Sequence, residues 1–182
     1  MHYCDELLIT KLHKNCFFRN INKLILVTHC GPKAAQLLSF YLRNTMIKVR
    51  PAVSSDMPVI EQLAKGFDLD CDDLSVNQFA VAVRDGNILG FGRIREYPGC
   101  AEIATVGVIP EEQKKGFGSL VVNELIRIGP PQLFVTCVIP AFFSKFGFES
   151  VKQYPSVLRK KVDFCSSYGF CEEDIFVMSL KK

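Results

Sequence analysis

The segment Val106-Gly-Val-Ile-Pro-Glu-Glu-Gln-Lys-Lys-Gly-Phe-Gly-Ser-Leu-Val121 constrains this chain most. It reads as a strand ended by Pro110, a loop, and a helix that opens around Gly116 and Gly118. A helix start exposes backbone N–H groups and carries partial positive charge. Glycines there let an anion approach the backbone closely, and Lys114 and Lys115 add charge at the rim. Such parts make a pyrophosphate cradle. Two other phosphate cradles do not fit. The dinucleotide fingerprint needs a third glycine where Val121 stands, and the P-loop pattern is absent. Gly107, inside the strand that feeds the cradle, marks a bulge or a close backbone contact. A long ligand with its phosphates on the loop would run an amide-bearing arm, such as pantetheine, along Val106 to Val108.

The flanking sequence supplies a mixed sheet. Ile47 to Arg50 reads as a strand. Ser54 or Ser55 caps a helix with Ile60, Leu63, Ala64 and Phe67 on one face. Asp68 to Asn77 is an acidic loop. Phe79–Val83 and Ile88–Tyr97 are strands joined at Asp85-Gly86-Asn87, a hairpin signal. Pro98-Gly99 turns the chain into a fourth strand from Cys100 to Ile109. A helix from about Gly118 to Ile128 follows, with Val121, Leu125 and Ile128 as its apolar stripe, widened by Leu120 and Val122. Leu133 to Val138 is a strand, Pro140 to Lys145 a short helix and Phe148 to Val151 a strand. Ser156 to Ser166 is helical, and Ile175 to Leu180 is the last strand. The order is that of an α/β fold with early hairpins and late crossover helices.

A chain of 182 residues fits one domain better than two. With 48% hydrophobic and 23% charged residues it is not intrinsically disordered. The net charge of +3 is too small to indicate a nucleic-acid surface. The longest uncharged stretch, 128–144, is broken by Pro130, Pro131 and Pro140, which argues against a membrane span. The eight cysteines include no C-x-x-C pair, and no secretory signal is visible. Reduced thiols in a cytoplasmic protein are expected.

The sequence changes character at Met46. All three histidines fall before it, and the first 45 residues carry six basic and two acidic side chains. Three readings of 1–45 stand open: a metal site from His2/Cys4, His13/Cys16 and His29/Cys30, an ordered accessory segment, or poorly ordered extra chain before the natural start. The third is favoured, since the spacings match no standard zinc pattern. Residues 46–182 then form the domain, with no metal expected.

One carboxylate stands out. Ala101-Glu-Ile103 puts Glu102 into an otherwise apolar strand, where burial raises its pKa toward the range of a general base. The alternative is a solvent-facing strand residue. Arg93 and Arg95 share one strand face, either to fork a substrate carboxylate or, as favoured, as a solvated face. The acidic loop is read as ordinary loop polarity.

Gln113-Lys-Lys-Gly-Phe-Gly118 resembles the Q/R-x-x-G-x-G/A signature of the GNAT acetyltransferase superfamily, and Phe143-Ser-Lys-Phe-Gly-Phe148 resembles its later Y-x-K-x-G-F element. The similarity covers about residues 46–152. It implies a mixed, mostly antiparallel sheet splayed between strands 4 and 5 and flanked by helices. It also implies acetyl-CoA as cosubstrate and acetyl transfer to an amine. By the resemblance, backbone groups of Val106 and Val108 hold the pantetheine arm, and a backbone N–H near Val106 or Gly107 polarises the thioester carbonyl. Gln113, Lys114, Lys115, Gly116, Phe117, Gly118 and Ser119 hold the pyrophosphate. Phe143 lies beside the cofactor where many members carry a tyrosine acid. Glu102 resembles the strand-four glutamate base of the histone-acetylating branch. Phe134 to Phe143 looks somewhat like the amino-acid N-acetyltransferase branch, which points to a small amino-acid-like amine as acceptor. No nucleic-acid or membrane partner is expected, and a homodimer is left open. A CoA-binding module without catalysis and a protein lysine or N-terminal acetyltransferase are the alternatives.

Overall fold

The computed structural model describes residues 47–167, 169 and 171–182. The histidine–cysteine pairs and the rest of the segment before Met46 lie outside the described residues. Among the described residues the order is β1 (Lys48–Pro51), α1 (Met57–Gly66), β2 (Phe79–Arg84), β3 (Asn87–Tyr97) and β4 (Cys100–Val108). It continues with α2 (Phe117–Ile128), β5 (Gln132–Cys137), α3 (Pro140–Ser144), β6 (Glu149–Ser150), α4 (Arg159–Ser167) and β7 (Phe176–Lys181). The seven strands form one sheet in the order β1-β2-β3-β4-β5-β7-β6. Every pairing is antiparallel except β4 with β5.

That parallel pair decides the shape of the sheet. β4 and β5 are in register only at Glu102 and Phe134. Beyond that point β4 continues through Val106 to Val108 without a β5 partner, so the sheet opens between the two strands. The expected splayed α/β sheet is what the chain forms.

Hydrophobic residues bury both faces of the sheet. On one face α2 packs Phe117, Val121, Val122 and Leu125 against Ala80, Ala82, Ile94, Ala101, Ile103 and Leu133. Gly92 makes this approach close, because a Cβ there would stand 3.1 Å from both Val121 Cγ1 and Leu125 Cδ1. On the other face α1 places Ile60 and Ala64 over Phe79, Val81 and Phe91. A third cluster sets Leu158, Val162 and Ile175 against Phe134 and Val177.

Three local expectations differ from what forms. The first helix is preceded by a 3-10 turn at Ser54–Asp56, and its entry is fixed by Asp56, which accepts the Val53 N–H at 2.8 Å and pairs with Arg50 at 2.6 Å. Neither Ser54 nor Ser55 caps it with a side chain. In α2, Leu120 and Ile128 are exposed and Phe117 is buried instead, so the buried face runs through Phe117, Val121 and Leu125, joined by Val122.

Candidate active site

The cradle is built by the chain entering α2. Pro110–Glu112 makes a 3-10 turn, after which Lys114 and Gly116 both adopt left-handed conformations (φ +61° and +93°). Gly116 is the N-cap, no side chain caps the helix, and the first N–H to bond back into it is Leu120, onto Gly116 O at 3.1 Å. The N–H groups of Phe117, Gly118 and Ser119 therefore have no helical carbonyl to take. Alternating left-handed residues followed by a helix start gather N–H groups into an anion-binding concavity.

Positive φ falls at Gly116, whereas Gly118 lies inside the helix, where a Cβ would touch Val108 Cγ2 at 3.4 Å and Phe142 at 3.5 Å. Beneath the loop, Arg84 grips the buried Glu112 carboxylate at 2.5 Å and lies over the Phe117 ring. Lys115 Nζ also approaches Glu112, at 3.3 Å, so its charge is partly committed within the loop. Gln113 turns back and donates from Nε2 to Val108 O at 3.2 Å. Lys114 is exposed at the rim.

The strand that feeds the cradle carries a bulge. Phe91 pairs with Gly107 and Arg93 with Ala104, so Thr105 and Val106 together face Gly92. Thr105 takes φ +51°. The bulge sits two residues before Gly107, and packing explains that glycine: a Cβ would fall 2.6 Å from Phe91 Cζ.

Glu102 lies at the one register point shared with β5 and is 1% exposed. It accepts the Tyr97 hydroxyl at 3.1 Å. Burial pushes its carboxyl above the ordinary glutamate range, opposed by Thr136, Tyr97 and the charge of Arg95. Thr136 Oγ1 is buried beside it with no well-formed hydrogen bond. Burial and the Glu102 charge raise the Tyr97 phenol in turn.

Tyr97 also lines a pocket of about 220 Å³ with Asp70, Asp72, Arg95, Val157, Lys160 and Lys161. Arg95 pairs with Asp70 at 2.8 Å and Asp73 at 3.0 Å, and Lys161 pairs with Asp70. The two arginines are therefore not a solvated face. Arg93 is fully buried, and the acidic loop is tied down by both guanidinium groups.

Phe143 is a core residue, 4% exposed and edge-on to Phe142 and Phe148. The sequence reading passed over Tyr97, Thr105, Arg84 and Glu112. Tyr97 had a signal, since the alternation that pairs Arg93 with Arg95 also aligns Tyr97. Thr105 had none, because threonine gives no hint of a left-handed backbone.

Residues 48–148, more than half of the chain, match the sequence pattern of the acetyltransferase (GNAT) family. The chain belongs to the GNAT acetyltransferase family. Its GNAT fold is shared with N-acetylglutamate synthase from Neisseria gonorrhoeae, solved with coenzyme A and N-acetyl-glutamate. The TM-score is 0.61 and the identity 22%, over 75% of this chain and 35% of that one. This GNAT chain thus spans about a third of the synthase. Rv2747 from Mycobacterium tuberculosis, solved with CoA, gives 0.59 and 23% over 74% and 99%. Arabidopsis thaliana Naa50, solved with the bisubstrate analogue CoA-Ac-MVNAL, gives 0.55 and 16% over 75% and 99%. Among the described residues of the GNAT domain no helix is long and apolar enough to cross a membrane.

Proposed function

We propose that this chain transfers an acetyl group from acetyl-CoA to a primary amine of a small amino-acid-like molecule, by direct attack within a ternary complex. The observation that carries the reading is the position of Glu102. A buried carboxylate of raised pKa stands where β4 and β5 begin to part, on the strand that leads through the bulge into the uncapped start of α2.

The roles follow from what each group offers. N–H groups of Phe117, Gly118 and Ser119, with Lys114 at the rim, take the pyrophosphate. The backbone of Val106 to Val108, unpaired on the β5 side, takes the pantetheine amides. A backbone N–H at the bulge polarises the thioester carbonyl. An alkylammonium with a pKa of about 10 must lose a proton before it attacks. Glu102 is its acceptor, through the Tyr97 hydroxyl, which touches both the carboxylate and the pocket. The amine nitrogen then bonds to the acetyl carbon, the C–S bond breaks, CoA leaves as thiolate, and the second proton of the nitrogen passes to solvent or to that thiolate as the amide forms. Phe143 supplies no proton, and a thiol of pKa about 8.5 leaves without one.

The pocket suits a small acceptor, and one fold neighbour was solved with N-acetyl-glutamate. The packed ring of Phe143 favours a second reading, a CoA-binding module without catalysis. We assign the domain to residues 46–182 and regard 1–45 as an extension. Thiol release from acetyl-CoA, measured across a panel of amines beside a lysine peptide, tests the two functional readings. Release with small amines supports the proposal. CoA binding without release supports the second reading.

A further inference from the structure

The fully buried guanidinium of Arg93 is committed on every side. Its Nε donates to Thr105 Oγ1 at 2.9 Å, and its Nη1 donates to Asp72 O at 2.9 Å and to Gln78 Oε1 at 3.3 Å. Its Nη2 reaches Asp70 O at 3.4 Å. Thr105 completes the arrangement, since its hydroxyl donates to Asp70 O at 2.9 Å while accepting from Arg93. Two segments far apart in sequence therefore meet on one cation. One is the 68–73 loop, whose Asp70 and Asp72 line the pocket. The other is the β4 bulge.

The bulge needs such a fixture. Thr105 is a β-branched residue at φ +51°, a strained conformation for a non-glycine residue that persists only where its surroundings hold it. Its side chain is what the surroundings hold. The peptide groups that follow, of Val106 and Gly107, take their direction from that turn of the backbone.

We propose that Arg93 and Thr105 are positioning residues that lock the β4 bulge to the acceptor-side loop, setting the distance between the thioester site and the amine site. The inference rests on the acetyltransferase reading for its kinetic consequence, though not for its geometry. A reacting pair displaced by about 1 Å loses on the order of 10²-fold in rate. Loss of the lock therefore lowers kcat, while cofactor affinity, carried at the cradle, is retained.

The test compares Thr105→Val, which keeps the shape and loses the hydroxyl, with Thr105→Ser, which keeps the hydroxyl. The expected result is a kcat lower by about 10–10²-fold in Thr105→Val and largely restored in Thr105→Ser. Acetyl-CoA affinity by calorimetry stays close to the parent's. The acid limb of the pH profile does not move, because Glu102 and Tyr97 are untouched. Thr105→Gly accepts the left-handed backbone without strain and is the second variant should the valine protein not fold. It also loses rate, because it too lacks the hydroxyl. Amide hydrogen exchange gives the readout independent of chemistry: Thr105→Val loosens segments 68–74 and 104–108 together and leaves β2 protected. Equal rates in the valine and parent proteins, or exchange unchanged in both segments, overturns the proposal. Loosening of both segments in Thr105→Val, together with no thiol release by the parent for any amine, overturns the acetyltransferase reading and leaves the lock standing.

Discussion

Burial raises the Glu102 pKa, so the folded chain binds that proton more tightly than the unfolded chain does. For a carboxylate this direction is destabilising. The penalty is absent below the unfolded value of about 4.3, grows as pH rises, and is complete above the folded pKa. Glu102→Gln is therefore expected to raise the melting temperature at pH 8 more than at pH 5, and calorimetric melts at the two pH values check this. The same change removes the proton acceptor and lowers turnover by about 10²–10⁴. That deficit shrinks as pH approaches the pKa of the amine itself, whereas a generally damaged site loses a constant factor. Tyr97→Phe separates the phenol from the carboxylate. The hydroxyl favours the charged form of Glu102, so its removal moves the acid limb of the pH–rate profile to higher pH and lowers the plateau. An acid limb that stays in place shows that the two groups are not coupled.

At the level of elements, the cradle rests on backbone conformation. Gly116→Val forces a branched side chain to φ +93° at the N-cap, and Gly118→Val adds methyl groups against Val108 and Phe142. Both are expected to weaken acetyl-CoA binding by tenfold or more in calorimetry. Only Gly116→Val carries the cost of the left-handed backbone, about 1–2 kcal/mol, in its melting curve. The order of elements was legible in the sequence because its signals are local. Asp85-Gly86 adopts two left-handed residues that close the β2–β3 hairpin, and Pro110 ends β4. The uncapped glycine start of α2 was legible for the same reason. What escaped was long-range. Arg93 and Arg95 alternate like a solvated face, yet the Asp70 loop folds over them across more than twenty residues of sequence. Ile128 continues the α2 stripe by periodicity, but in the last turn of the helix it is exposed. Gly107 reads as a bulge or a close backbone contact; the Phe91 ring stands where its Cβ would be, and the bulge lies beside it at Thr105 and Val106.

For the molecule as a whole, one sheet carries the whole proposed reaction path from pocket to cradle. Among the described residues, three hydrophobic clusters cover the sheet. A protein beginning at Met46 is therefore expected to fold cooperatively and keep the acetyl-CoA affinity of the full chain. An insoluble or non-binding truncation shows that residues 1–45 complete the domain. With Tyr97 lining the pocket and Glu102 bonded behind it, thiol release is expected to depend on the acceptor amine. Thiol release from acetyl-CoA, followed with an amine panel for the parent and Glu102→Gln side by side, tests it most directly. Acceptor-dependent release by the parent and a loss of about 10²–10⁴ in the variant, with acetyl-CoA affinity unchanged, are the expected results. Equal release by both proteins, or tight cofactor binding with no release for any amine, contradicts them.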